Sequence, residues 1–239
     1  MRKKIIIKLT NITKSYNLRG EKKSILNYLI YKDKNRFISL NKINLTIFEG
    51  DRLGIIGRNG TGKTTLLKII SGVTTPTSGK IVIKGKPVSI IDLEAGFHSE
   101  LTGIQNIFLN GLLLGMKKSE IYNKLHKIIN YADIKNFINA PLYTYSTGMK
   151  LRLGFAVAIH SNPDILVLDE GLQVGDEGFR KKSDRSIIKL LKDNKTLITV
   201  THNFNTIRNH CNRVIILDKG IVVADGGIEL IKFYKEHFT

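Results

Sequence analysis

Gly57-Arg58-Asn59-Gly60-Thr61-Gly62-Lys63-Thr64-Thr65 stands between the apolar run Arg52-Leu53-Gly54-Ile55-Ile56 and a segment in which Leu66, Leu67, Ile69 and Ile70 recur at helical spacing. A short buried strand, a Gly-rich loop and a helix in that order form a phosphate-binding loop. The glycines let backbone N–H groups curl around a β-phosphate, and the positive end of the following helix faces that anion. In this reading Lys63 reaches the β- and γ-phosphates and the Thr64 hydroxyl ligates Mg²⁺. The plainer alternative, a Gly-rich turn capping an ordinary helix, does not require Gly, Lys and Thr at these offsets.

Around this loop the chain has 239 residues, 42% of them hydrophobic, enough for one sizeable core carrying a smaller lobe. No apolar run approaches the ~20 residues that span a bilayer. Met1-Arg2-Lys3-Lys4 followed by isoleucines resembles the start of a signal peptide, but Lys8 interrupts the apolar stretch, so a cytosolic chain is expected. The single cysteine, Cys211, excludes an internal disulfide and suits core packing. The net charge of +18 is spread through nearly every segment and is not interleaved with aromatics. It reads as a solvated basic surface, with an anionic membrane face as the functional alternative, and no nucleic-acid partner is expected.

Strands are expected at Ile5–Leu9, Ile43–Phe48 and Ile81–Ile83, forming an edge sheet near the nucleotide. Between Asn17 and Arg36 lies a lysine-rich insertion in which Ile25, Leu26, Leu29 and Ile30 share a helical face. Helical runs follow at Ile104–Leu114, Ser119–Tyr131 and Met149–Ile159, separated by Gly115 and Pro141. The last third alternates strand and helix: Ile165–Leu168, Gly178–Leu191, Leu197–Val200, Phe204–His210, Val214–Leu217. That alternation predicts a parallel sheet with crossover helices. A hairpin is expected around Lys219-Gly220, and a closing helix from Gly227 to near Phe238.

Asp169 and Glu170 end the apolar strand Ile165–Leu168, and ligands of parallel sheets gather at the carboxyl ends of strands. Asp169 is the candidate for holding Mg²⁺ and Glu170 for accepting a proton from the attacking water. His202 follows another strand and would reach the same sheet edge, where a donor could contact a γ-phosphate; a structural or surface histidine is the alternative. Tyr16 could stack on adenine or simply pack.

Tyr145-Ser146-Thr147-Gly148-Met149-Lys150, ahead of a helix and the Asp-Glu strand, resembles the signature motif of ATP-binding-cassette (ABC) ATPases. The whole order resembles that family: aromatic Tyr16, phosphate loop, helical lobe, signature, Asp169-Glu170, a Val174-Gly175-Asp176 segment like the D-loop, and His202 like the switch histidine. Further variants resemble ATP-binding subunits of bacterial surface-polysaccharide exporters of the O-antigen, capsule or teichoic acid type. These are Gly54-Ile55-Ile56-Gly57-Arg58-Asn59-Gly60, Ala95-Gly96-Phe97-His98-Ser99-Glu100-Leu101-Thr102-Gly103, Tyr145-Ser146-Thr147-Gly148-Met149 and Val174-Gly175-Asp176-Glu177-Gly178-Phe179, and the lysine-rich insertion after Tyr16 also resembles this group. Two departures stand out. The usual glutamine between the lobes is not evident, Asp92 being the candidate by spacing, and Met149-Lys150 differ from the commonest ABC signature.

The resemblance implies an α/β P-loop NTPase fold: a RecA-like core, an N-terminal antiparallel β subdomain and a helical lobe at about 98–161, all within a single ATP-binding domain over 1–239. It implies ATP and Mg²⁺ as ligands, Asp92 included among the metal-site candidates, and a head-to-tail homodimer. In that dimer Ser146 and Gly148 of one protomer, with Asp176, adjoin the phosphate bound by Lys63 of the other. It also implies a separate transmembrane permease, reached through the lobe near residues 92–110, and a peripheral place on the cytoplasmic face of the inner membrane. The short segment after Gly227 leads us to expect no direct glycan binding, since a sugar-binding sandwich needs on the order of 100 residues. The alternatives are the motor of another ABC importer or exporter and a soluble ABC clamp.

Overall fold

A computed structural model describes residues 4–17, 36–91, 93–169 and 176–238. The amphipathic helix expected inside the lysine-rich insertion, and the expectations for Asp92, Glu170, Val174 and Gly175, lie outside the described residues.

Two sheets organise the chain. β1 (Ile5–Asn17), β2 (Arg36–Phe48) and β4 (Ser78–Ile83) form an antiparallel sheet in the order β2-β1-β4. Ile43, Leu45 and Ile47 alternate along β2 and are buried, the period-2 pattern of a strand with one covered face. β1 runs eight residues beyond the expected end at Leu9. It passes through an irregularity at Asn11, which takes φ 50, a left-handed value asparagine tolerates. The Asn11 and Asn44 side chains hydrogen-bond at 3.0 Å beside it, and the ladder resumes past Tyr16 opposite Phe37 to Asn17 opposite Arg36.

The second sheet has the order β5-β6-β7-β3-β8-β9, built from β3 (Arg52–Ile56), β5 (Pro87–Ser89), β6 (Ile165–Leu168), β7 (Thr196–Val200), β8 (Arg213–Asp218) and β9 (Ile221–Gly226). The first five are parallel and β9 returns antiparallel to β8, the expected hairpin. β6 and β7 are buried at every position, as parallel strands covered on both faces must be. β5 was not anticipated: three residues are too few to show a period, and its proline is accommodated at the sheet edge.

The helices are α1 (Lys63–Ile70), α2 (Gly103–Leu113), α3 (Lys118–Ala132), α4 (Thr147–His160), α5 (Glu177–Lys192), α6 (Phe204–His210) and α7 (Leu230–Phe238), the last starting three residues after the expected Gly227. α1 shares one core with both sheets, through Leu66, Leu67, Ile70, Ile7, Leu45 and Ile55. α2, α3 and α4 close around a core of their own that includes Ile107, Ile121, Ile128 and Leu153. The entry to α2 is fixed by a reciprocal cap between Thr102 and Gln105, and by buried Asn106, which binds the His98, Leu101 and Thr102 carbonyls at 2.9–3.0 Å. The lobe is tied to α5 by stacked and edge-on rings of Tyr131, Phe155, Phe179 and His160. Cys211 is buried in the core under α6, and burial pushes its thiol up to about 12.

Arg213 clamps the two sheets together. Its guanidinium donates to the Thr46 carbonyl at 2.8 Å, to buried Asp51 at 3.0 Å, and through two nitrogens to Asp225 at 2.8 and 2.6 Å. Arg213→Ala leaves the Asp51 carboxylate buried beside one fewer cation and is expected to destabilise the chain by about 3 kcal/mol in urea unfolding.

His160 supplies a pH dependence. Burial holds its imidazole below the ordinary value; the Ala156 carbonyl opposes this, and Lys124, Lys127 and Lys182 reinforce it. The unfolded chain therefore takes up this proton at higher pH than the folded one. The contribution is complete above about pH 6.5 and is lost as pH falls below that value. Unfolding free energies of His160→Asn between neutral pH and pH about 5.5 are expected to fall less steeply than those of the parent.

Candidate functional site

β3 ends at Ile56 in the middle of the parallel sheet, and the loop after it turns directly into α1. Only 8% of Lys63 is exposed, and its Nζ donates to the carbonyls of Gly57 at 2.7 Å and Arg58 at 2.8 Å. The loop is braced from within by the Thr61 hydroxyl, which donates to the Arg58 carbonyl at 2.9 Å. It is braced from outside by the β8–β9 turn, where the Gly220 N–H donates to the Thr61 carbonyl at 3.1 Å. Two glycines are required by space. A Cβ on Gly57 would collide with the Leu217 carbonyl. Gly62 has φ 100, and a Cβ there would collide with the Ser39 carbonyl. No side chain caps α1 and its first turn holds no acid, so its positive end is presented to an anion. The Ser39 hydroxyl donates to the Thr65 hydroxyl at 2.8 Å, anchoring that turn to β2.

A cavity of about 690 Å³ opens over this helix end, a size suited to a small-molecule ligand. The loop contributes Asn59, Gly60, Gly62, Lys63, Thr64 and Thr65. Asp169 enters from the end of β6 and His202 from beyond the end of β7, the strand between β6 and β3. Tyr16 and Phe37, paired across β1 and β2, form an aromatic wall, and the Lys14 ammonium lies 5.2 Å from the Tyr16 ring centroid. Ile90, Ile91, Leu93 and Leu151 complete the apolar side.

Of the residues singled out in the sequence, Tyr16, Asn59, Gly60, Gly62, Lys63, Thr64, Thr65, Asp169 and His202 line this one cavity, while Gly57, Arg58 and Thr61 form the structure of the loop. Ser146, Gly148 and Asp176 do not reach it. Ser146 caps α4, its hydroxyl accepting from the Met149 N–H at 3.2 Å, and a Cβ on Gly148 would meet nothing nearer than the Ser146 hydroxyl at 3.9 Å. Asp176 caps α5, accepting from the Phe179 N–H at 2.9 Å, and pairs with Arg152. That N–H and then the guanidinium hold its carboxyl below the usual range. Ser39, Phe37 and Leu151 were not anticipated; Phe37 and Ser39 follow the lysine-rich insertion, where no local period marks them.

Thr64 and Asp169 offer a hydroxyl and a carboxylate to the same space, hard oxygen donors that fit Mg²⁺. Among the described residues no group of three or more His, Cys, Asp or Glu could form a complete metal cage.

A phosphate loop at the centre of a parallel sheet, with a strand-end acid two strands away sharing its cavity, defines a P-loop nucleotide-binding protein. The chain belongs to the ABC transporter family, whose profile matches residues 40–173. It is 44% identical over 225 residues to an O-antigen export system ATP-binding protein of Myxococcus xanthus, covering 90% of this chain and 52% of that protein. It is 40% identical over 233 residues to a teichoic acids export ATP-binding protein of Bacillus anthracis, covering 96% of this chain and 42% of that one. An O-antigen export system ATP-binding protein of Klebsiella pneumoniae is 35% identical and matched almost end to end, at 97% of this chain and 98% of that protein. The chain thus spans about half the length of the first two relatives. The fold is similar to that of MJ0796, an ATP-binding cassette solved as a dimer in a post-hydrolysis state with ADP and Pi. The TM-score is 0.73 at 25% identity, covering 93% of this chain and 99% of that one. Among the described residues no helix is long and apolar enough to cross a membrane.

Gly62→Ala places a side chain at positive φ against the Ser39 carbonyl, so the loop must shift. A fluorescent ATP analogue is expected to bind about tenfold more weakly or worse, equivalent to roughly 1.4 kcal/mol of strain.

Proposed function

We propose that this chain binds ATP with Mg²⁺ and hydrolyses it as the motor subunit of an exporter that moves surface polysaccharide across the cytoplasmic membrane. The observation that carries the nucleotide part is one cavity gathering Lys63, Thr64, Asp169 and His202 from the carboxyl ends of three neighbouring strands. The polysaccharide part rests on relatives named as O-antigen and teichoic acid export proteins.

In this reading the Tyr16 ring stacks on adenine and the loop N–H groups and Lys63 hold the phosphates. Mg²⁺, held by Thr64 and Asp169, would offset phosphate charge. Glu170 takes the proton of the attacking water, and His202 donates toward the γ-phosphate. Ser146, Gly148 and Asp176 face outward and act on the nucleotide of a second copy in a head-to-tail homodimer. The open N-terminus of α4, where Ser146 and Gly148 sit, suits an anion brought by that copy. ATP then binds the protomers together, and its hydrolysis releases them. A groove of about 650 Å³ bordered by Lys86, Leu93, Gly96, Leu113 and Gly154 lies where the sheet meets the helical lobe. In this reading it receives a separate membrane permease, and the chain sits peripherally on the cytoplasmic face.

Lys63→Ala is expected to abolish ATP turnover, because phosphate charge is left uncompensated. Glu170→Gln should retain ATP and slow hydrolysis by about a hundredfold or more, the amide being unable to accept a proton. Unchanged steady-state rates in both variants would refute the ATPase assignment. Depleting the chain in its host should accumulate glycan in the cytosol; normal surface glycan after depletion would refute the cargo.

A further inference from the structure

Arg152 lies six residues after Ser146 on α4, about 9 Å further along the helix axis. Its guanidinium touches three elements. One nitrogen pairs with Asp176 Oδ2 at the start of α5. Another lies 3.7 Å from Asp133 Oδ2, where α3 ends in a left-handed turn at φ 56. The guanidinium carbon stands 5.6 Å from the centre of the Phe179 ring, itself fixed edge-on by Tyr131 and Phe155. The second oxygen of Asp176 accepts the Phe179 N–H at 2.9 Å, so one carboxylate both caps α5 and receives the arginine.

Stability alone does not explain this arrangement. Asp133 and Asp176 have 82% and 60% of their side chains exposed, and ion pairs to such acids are worth little. Meanwhile Arg152 Nε is buried and, among the described residues, has no acceptor. A leucine or methionine would pack against Phe179 without leaving a polar atom unsatisfied. What arginine adds is a rigid planar fork with fixed directions. Those directions join the helix that starts at Ser146 to the turn that carries Asp176.

We propose that Arg152 is a positioning residue that locks the Ser146–Gly148 turn and the Asp176 turn into one rigid unit, so that both reach the partner protomer's phosphate site in fixed relation. This rests on the shared-site reading given above. Arg152 itself contacts no nucleotide of its own chain, since it does not line the cavity.

Arg152→Met tests the idea in the full chain, with Arg152→Ala and Arg152→Lys beside it. Methionine keeps the packing stem and removes the fork, so the melting temperature should be unchanged or raised. The affinity of the chain for a fluorescent ATP analogue should stay within about twofold, whereas kcat should fall by at least about tenfold. Lysine, keeping the charge and losing the fork, should recover only part of that loss. In a Glu170→Gln background the ATP-dependent dimer should weaken on gel filtration.

A readout independent of the dimer is hydrogen exchange of the nucleotide-free chain, where the Met149 and Phe179 amides should lose protection together in Arg152→Met. Wild-type kcat in Arg152→Met, or unchanged exchange at both amides, overturns the proposal. So does a loss of melting temperature and nucleotide affinity in parallel with kcat, which marks a merely structural role. A parent chain that neither turns over ATP nor dimerises refutes the functional reading instead; the exchange experiment still decides whether Arg152 couples the two turns.

Discussion

The nearly buried ammonium of Lys63, set at the positive end of α1 and held by two loop carbonyls, is the constraint around which the rest is arranged. The first turn of the helix supplies no acid. A site of this kind is electrostatically complementary to phosphate. Maintaining it demands a backbone with no room for side chains at Gly57 and Gly62, pressed between β2 and the end of β8. The β8–β9 turn then holds the loop through Thr61, and Asn41 on β2 donates to Gly220 at 2.8 Å, so both sheets converge on the same nine residues.

The strand order explains why distant residues meet there. Inserting β7 between β3 and β6 brings His202 between the phosphate loop and Asp169, and all three strands point their carboxyl ends the same way. The antiparallel sheet adds Tyr16 and Phe37 as the aromatic wall, because β1 and β2 extend well past their apolar segments. The helical lobe adds Leu151 to the cavity and otherwise turns its polar helix start outward. The two halves of the proposed chemistry therefore stand apart within one chain, Ser146, Gly148 and Asp176 lying outside the cavity that Lys63, Thr64, Asp169 and His202 share.

Much of this was legible in the sequence because it is local. The phosphate loop, the buried strands β6 and β7, the four longer helices and the hairpin all carry a period, a cap or a turn signal within a dozen residues. The second half of β1 was not, since Lys14, Ser15 and Asn17 show no apolar alternation and are held in the sheet by pairing with β2. β5 is too short to have a pattern, and its place is set by β6. The Ser39–Thr65 bond, the Arg213 clamp and the Arg152–Asp176 pair join residues 26, 162 and 24 positions apart and exist only once the fold has formed. Asp169 and His202 were found because strand ends in parallel sheets are predictable places for ligands. Arg152 was missed because nothing about an arginine on a helix distinguishes a positioning role from a solvated one.

In the proposed dimer one chain's phosphate loop works with another chain's Ser146 turn. Mixing Ser146→Arg with Lys63→Ala tests it directly, each variant being inactive alone. In a confirmed heterodimer both lesions fall on one composite site and the other is intact. An equal mixture is expected to regain ATP turnover, up to about a quarter of the parent rate if sites act independently in a two-fold dimer. Mixtures that form heterodimers and remain as inactive as either variant alone would contradict it.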